Sequence, residues 1–304
     1  MAGPVVVLAG GTGGAKLARG MLDVAGDNLV VLANTGDDVE VHGAFVSPDP
    51  DLCTYWLADR IDPRGWGLAG DTFHVMDGLR ALGDEVWFDV GDRDLAVGLR
   101  RARRLAEGAR PTEVAAELAA ALGVTTRVLP VADEPVRTWV LARERWMPFQ
   151  EFMVREHGEG PVQDAEFRGA DTARPTPEVR AALASARAIV IGPSNPIISI
   201  GPMLAVPGLR EALDGSAAAV VAVSPIVAGT VVKGPTHAFM DFTGHDLSAA
   251  GIAELYGDLL DGIVTDEEDV FGCPALRMDT LMEDADARRR VAEETLRFAE
   301  ALAR

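Results

Sequence analysis

Between positions 37 and 51 stand five carboxylates, Asp37, Asp38, Glu40, Asp49 and Asp51, in the segment NTGDDVEVHGAFVSPDPDLCT that spans residues 34–54. Carboxylates crowded into loops repel one another unless a cation or a positive ligand offsets their charge. The segment therefore reads first as a hard-metal site. Asp37 and Asp38 are adjacent, and Asp49 and Asp51 are two apart. Within each pair the side chains diverge in extended geometry, so a metal site draws one acid from each pair. Oxygen-only ligation without cysteine suits Mg2+ or Mn2+ over Zn2+. Asp38 and Glu40 serve equally well in Asx turns or on a solvated face, and Asp51 is placed to cap a helix over 52–58. His42 has no second histidine nearby and reads as a hydrogen-bonded structural group.

A second constellation is the run Gly10-Gly11-Thr12-Gly13-Gly14. Glycines let backbone N–H groups approach an anion at a helix N-terminus, so Gly10, Gly11, Gly13 and Gly14 are candidate phosphate or nucleotide contacts. No Gly-Lys-Ser/Thr follows, so this is not a P-loop. Asn34, not an acid, ends the next strand, so it is a poor dinucleotide fingerprint. Further candidates sit in loops that follow apolar runs: Trp66 for ring stacking, Arg93 for bidentate phosphate contact, Ser194 and Asn195 for a base or phosphate. Lys233 is one of only two lysines and stands in a Gly-rich loop. No G-x-S-x-G elbow or Ser–His–Asp order is present.

These residues need a scaffold. Val5–Ala9 is a β-branched run, residues 15–24 have helical spacing, and Leu29–Ala33 is the next buried run. This is the β–Gly loop–α–β opening of a doubly wound, Rossmann-like, mainly parallel sheet, whose ligands bind outside the carboxyl ends of the strands. Strand-like runs recur at 85–90, 188–191 and 217–223. Residues 92–123 read as two helices, with Asp94 and Thr112 as N-caps. Residues 125–170 alternate as antiparallel strands do. The expected architecture is one α/β domain over 1–304 with a helical or mixed cap inserted around 92–170.

Composition narrows the function. The 304 residues carry a net charge of −19, which argues against a nucleic-acid or anionic-membrane surface. No run approaches the ~18 apolar residues of a membrane span. Cys53 and Cys273 are the only cysteines and fit a reducing, cytoplasmic setting.

Taken together, AGGTGGAKLARG, NTGDDVEVHG, SPDPDLCTYWL, RGWGLAGDTF, WFDVGDRDLA, LPVADEPVRTWV, GPSNPIISIGPML, SPIVAGTVVKGP and DLLDGIVTDEED resemble the 2-phospho-lactate transferases of deazaflavin coenzyme F-420 biosynthesis, the CofD or FbiA family. The resemblance runs from residue 9 to about 270. It implies Mg2+-dependent transfer of a phospho-acid, 2-phospholactyl, enolpyruvyl or a related group, from its guanosine diphosphate conjugate. The acceptor is the ribityl hydroxyl of 7,8-didemethyl-8-hydroxy-5-deazariboflavin, and GMP leaves. It further implies a homodimer. Carried over by motif, Asp37, Asp49 and Asp51 fall in the metal and acceptor region, with Asp37 or Asp49 near the reacting hydroxyl. Asn34, Thr54 and Trp66 lie in the same motifs. The glycine loop, Ser194 and Asn195 fall on the nucleotide side, and Arg93 on the acceptor side; Lys233 is a candidate phosphate contact from its rarity and its Gly-rich loop alone. Pro50 replaces a more usual Leu and keeps both flanking acids. A related non-enzymatic branch that binds nucleotide sugars is the alternative, and RGWGLAGDTF and GDRDLA argue against it. An NAD-dependent oxidoreductase would need a ribose-binding acid that the second strand lacks.

Overall fold

The computed structural model describes residues 3–231, 234–269 and 271–303. The strands, in chain order, are β1 (Val5–Ala9), β2 (Leu29–Ala33), β3 (Val39–Val41), β4 (Ala44–Val46), β5 (Arg127–Pro130), β6 (Arg137–Ala142), β7 (Arg145–Pro148), β8 (Val162–Arg168), β9 (Ala188–Ile191), β10 (Val220–Val223), β11 (Ile226–Val227), β12 (Thr230–Val231), β13 (Gly262–Thr265) and β14 (Ala275–Arg277). The central sheet has the order β14-β13-β10-β9-β1-β2-β5, and every pairing in it is parallel. This is the doubly wound α/β class that the opening unit predicts.

The apolar runs are continuous because both faces of the sheet are covered. Val5, Val7, Ala9 and Val31 point into one core layer with Leu17, Met21 and Leu296 from the helices Gly11–Ala25 (α1) and Ala285–Ala301. Val6, Leu8, Val30 and Leu32 point into the other, against Val179, Leu183, Leu213 and Ile252. All of Val5–Ala9 is inaccessible to solvent. Among the described residues, no helix is long and apolar enough to cross a membrane.

Four more helices matter for the site: α2 (Pro48–Leu57), α3 (His74–Leu82), α4 (Asp92–Ala106) and α5 (Pro111–Ala121). Within 92–170 the chain divides. Arg127–Pro130 joins the central sheet beside β2, and only β6, β7 and β8 form a separate antiparallel sheet. That small sheet docks on the acidic segment, where Thr138 N–H donates to the Gly36 carbonyl at 2.8 Å.

Residues 85–90 are not a strand. Val86, Trp87 and Phe88 pack instead against the β3–β4 hairpin in a small side core with Met76 and Leu95. Glu85 and Asp89 are exposed, so the run is amphipathic and no neighbouring strand pairs with it. The N-caps also differ. Asp94 lies inside the first turn of α4, and Arg110, not Thr112, caps α5. Asp133 takes the N–H and hydroxyl of Thr112 at 2.9 and 2.7 Å.

Candidate functional site

Asn34 ends β2 at the carboxyl edge of the sheet and is fully buried. Its side-chain amide donates to Asp37 Oδ1 at 3.1 Å and to Asp49 Oδ2 at 2.9 Å. Its own carbonyl oxygen accepts the Gly36 N–H at 2.8 Å, which fixes the amide's orientation. One amide thus holds together two carboxylates from opposite ends of the segment. Asp37 and Asp49 are both buried. Burial pushes both carboxyls above the usual carboxylate range, and for Asp37 the repulsion of Asp49 adds to it; the Asn34 bond pulls the other way in both.

Asp49 is on the second helical position of α2, whose first turn carries Pro48 and Pro50 at positions that lack intrahelical N–H partners anyway. Asp49 and Asp51 are therefore two residues apart on a helix, about 200° apart around its axis. Asp51 points away from Asp37 and forms a two-pronged ion pair with Arg101, which is 6% exposed. Arg101 Nη1 donates to Asp51 at 3.0 Å and to the Phe45 carbonyl at 2.9 Å. Asp51 is thus neither the cap of a helix over 52–58 nor beside Asp37. Among the described residues, no group of three or more His, Cys, Asp or Glu is placed to hold a metal ion. The structure assembles two carboxylates where the sequence offered three.

Asp38 turns to the Arg101 side. It accepts the Ser47 hydroxyl at 2.6 Å and lies 3.8 Å from Arg137. Burial pushes its carboxyl up to about 7, with Arg137 and Ser47 opposing. Asp38, Asp51, Arg101 and Arg137 line a cavity of about 250 Å3 whose apolar wall includes Phe45, Pro50 and Leu105. Thr54 lines it too, but its hydroxyl is spent on the Pro50 carbonyl one turn back, at 2.8 Å. Glu40 is exposed on β3. His42 accepts a left-handed backbone, φ 52°, at the hairpin turn, and its Nε2 meets the Phe88 carbonyl at 2.8 Å. It ties the hairpin to residues 85–90.

The glycine loop reaches the same acids. Gly11 has φ 64°, which favours glycine, and its N–H donates to Asp49 Oδ1 at 2.6 Å. Gly10 N–H donates to Ser194 Oγ at 3.1 Å. Two of the N–H groups expected to face an anion are thus taken by protein oxygens, and the carboxylate of Asp49 itself sits at the positive end of α1. A side chain at Gly13 would come within 2.1 Å of the Pro193 carbonyl. One at Gly14 would come within 2.6 Å of Ser194 Oγ. The loop is glycine-rich first because the turn after β9 presses on it.

Beside this contact opens a second cavity, of about 150 Å3, lined among others by Thr12, Gly13, Lys16, Asn195, Ser224 and Thr280. It lies beyond the carboxyl ends of β1, β9 and β10, where the topology places ligands. Asn195 holds its own turn: its Oδ1 accepts the N–H groups of Ile197 and Ile198 at 2.9 and 3.1 Å, and its amide donates to Thr236 Oγ1 at 3.3 Å.

Trp66 and Arg93 lie apart from both cavities. Trp66 is 55% exposed. Arg93 does not follow a strand, and its guanidinium donates to the Ala69 carbonyl at 2.9 Å. The RGWGLAGDTF and GDRDLA motifs have a clear local task. Asp71 accepts the N–H groups of Arg93 and Asp94 at the start of α4, at 2.8 and 3.1 Å. Asp92 accepts those of His74 and Val75 at the start of α3, at 3.1 and 3.0 Å. Each motif caps the other's helix. Lys233 lies outside the described residues.

Sequence reasoning missed Arg101, Arg137 and Gln150, whose side chain donates to the Asp37 carbonyl at 3.2 Å. Arg101 and Gln150 lie outside the quoted motifs, Arg137 stands in LPVADEPVRTWV without a local signal of its own, and each arrives from a distant element. Lys16 carried a signal, as the other of only two lysines, three residues after Gly13.

The family model described as 2-phospho-L-lactate transferase CofD matches residues 5–291. A 2-phospho-L-lactate transferase of Methanosarcina mazei is 38% identical over 95% of this chain and 98% of its own. A phosphoenolpyruvate transferase of Kitasatospora aureofaciens is 37% identical over 97% of this chain and 98% of its own. A solved structure from Bacillus halodurans, a member of the UPF0052 family, superposes with a TM-score of 0.62 at 18% identity. It covers 97% of this chain and 99% of its own, and it speaks to the fold alone.

Proposed function

Because the chain belongs to the 2-phospho-L-lactate transferase CofD family, we propose that it moves a phospho-acid from a guanosine diphosphate conjugate onto the ribityl hydroxyl of 7,8-didemethyl-8-hydroxy-5-deazariboflavin, releasing GMP in coenzyme F-420 biosynthesis. The observation that carries the reading is the Asn34-bridged pair Asp37 and Asp49, set against the glycine loop at the carboxyl edge of the sheet.

The pair fits a divalent cation. Two buried carboxylates that repel each other, with oxygen donors only, suit Mg2+, which takes one or two carboxylates and completes its shell with water and substrate phosphates. Asp37 and Asp49 would hold it, and when bound it would neutralise the bridging diphosphate. The protein's own groups divide the remaining work. Asp49 is the more firmly fixed, between the Gly11 N–H and Asn34. Asp37 receives the Asn34 amide alone among the described side chains. Asp37 is thus the better acceptor for the ribityl proton as the hydroxyl oxygen bonds to phosphorus and the bond to GMP breaks. Asn34 keeps the two carboxylates in register throughout.

The donor's acid is open between lactyl, enolpyruvyl and glyceryl groups, because relatives named for two different acids are nearly equally similar. Incubating the protein with acceptor, Mg2+ and each synthetic donor, and reading product masses, tests the reaction and chooses the donor together. A phosphodiester product with at least one donor is expected. No product with any donor, alongside tight binding of a nucleotide sugar, would favour the non-enzymatic branch. Family membership also carries the expectation of a homodimer, which light scattering of the purified protein checks.

A further inference from the structure

One buried hydroxyl on the wall of the smaller cavity has no hydrogen-bond partner among the described residues, and a lysine shares that wall. Thr280 is 3% exposed, lines the cavity, and its hydroxyl has no hydrogen-bond partner among the described residues. A buried hydroxyl left unpaired costs stability, so one placed at a ligand cavity points to a ligand oxygen. Lys16 is half-buried on the same wall. It stands four residues after Thr12 and three after Gly13 on α1, so the three share the helix face that borders the cavity. Side chains on a helix lean toward its N-terminus, which carries the ammonium toward the glycine loop. Its neighbours are the ring of Trp56, 5.9 Å away, and Arg288, which stands 5.1 Å from the same ring. Burial and Arg288 both lower its proton affinity, with Glu283 opposing. In a chain of net charge −19 with only two lysines, Lys16 is the cation that lines this cavity among the described residues, with Arg288 and Glu283 behind it.

We propose that Lys16 and Thr280 form the phosphate seat of the nucleotide donor, the ammonium neutralising phosphate charge and the hydroxyl donating to a phosphate oxygen. The assignment rests on the transferase reading above and deepens it. It gives the donor's phosphates the cation that the engaged Gly10 and Gly11 N–H groups do not supply. Lys16 is then a binding residue in contact with the leaving nucleotide.

Calorimetric titration of GDP and of guanosine, with thermal unfolding run in parallel, separates the outcomes. Lys16→Met is expected to weaken GDP about 10–100-fold, as loss of a charge-assisted bond does, and to leave guanosine unchanged. Lys16→Arg is expected to recover part of the loss. Thr280→Val keeps the side chain's shape, so it should weaken GDP while unfolding at the same or a higher temperature. Equal GDP affinity in wild type and Lys16→Met overturns the assignment, as does a matched loss of GDP and guanosine together with a lower melting temperature. A Thr280→Val protein that melts lower with GDP affinity intact removes the hydroxyl from the seat. Wild type that binds no GDP at all removes the transferase reading and the seat with it. Inorganic phosphate competing with GDP in wild type, and no longer in Lys16→Met, supports a phosphate seat.

Discussion

Two regions of this molecule are rich in aspartate, and they use it in opposite ways. Around α3 and α4, Asp71 and Asp92 each lie on a helix start and accept two backbone N–H groups. The hydrogen bonds from Thr72, Val75 and His74 hold the Asp92 carboxyl below its usual range. Both acids are satisfied by the fold, and Asp92 favours its charged form. In the segment 34–54, Asp37 and Asp49 are buried, repel each other, and share one neutral amide. Their charged forms are disfavoured by the fold as it stands. The first arrangement stabilises helices. The second stores an unfavourable charge that a cation would relieve, and that is the mark of a site.

The difference predicts opposite responses to mutation. Asp37→Ala and Asp49→Ala should have the largest effect on transfer, at least about 100-fold in rate, with the melting temperature of the protein without Mg2+ unchanged or higher. Wild-type rates in either variant would take that residue out of the site. Arg101→Met should be the largest stability change, about 3 kcal/mol by urea unfolding, because it leaves the half-buried Asp51 without its cation. A loss below 1 kcal/mol would show that the pair is solvated in practice. Asp71→Ala and Asp92→Ala should each cost about 1 kcal/mol and leave bound Mg2+ unaffected; a lost Mg2+ response would erase the contrast between the regions.

The smallest effect lies between the regions. Asp94 is pushed up to about 6, mainly by burial, with the Tyr55 hydroxyl opposing. A carboxyl raised in the folded state binds protons more tightly there than in the unfolded chain, so its contribution is present below pH 4 and is lost as pH rises through 6. Asp94→Asn should therefore raise the melting temperature by about 2 °C at pH 8 and leave it unchanged at pH 4. An equal change at both pH values would assign the effect to packing.

Much of this was legible in the sequence, and the failures have physical causes. The strands β1, β2, β9 and β10 announced themselves because burial on both faces demands unbroken β-branched runs. Residues 85–90 look equally apolar, but a run of that length cannot tell a sheet strand from a segment packed on a hairpin. Divergence within each acidic pair calls for one acid from each but does not choose Asp37 with Asp49, and Asp49 and Asp51 diverge on a helix and not in an extended chain. The loss of Asp51 to Arg101 is not legible either, since Arg101 comes from a helix fifty residues on. The glycine loop was visible, but its N–H groups were expected to face an anion. Two of them face Asp49 and Ser194 because Gly10, Gly13 and Gly14, with no side chains, let those elements close on the loop. The reciprocal caps give GDTF and GDRD a structural task that neither motif shows when read alone.

The proposed cation site at Asp37 and Asp49 is tested by thermal unfolding at pH 8 with and without Mg2+, for wild type and Asp49→Asn. Mg2+ is expected to raise the melting temperature of wild type, more so with GDP present, and the shift is expected to disappear in Asp49→Asn. An equal shift in both proteins, or none in wild type with GDP bound, would contradict that site.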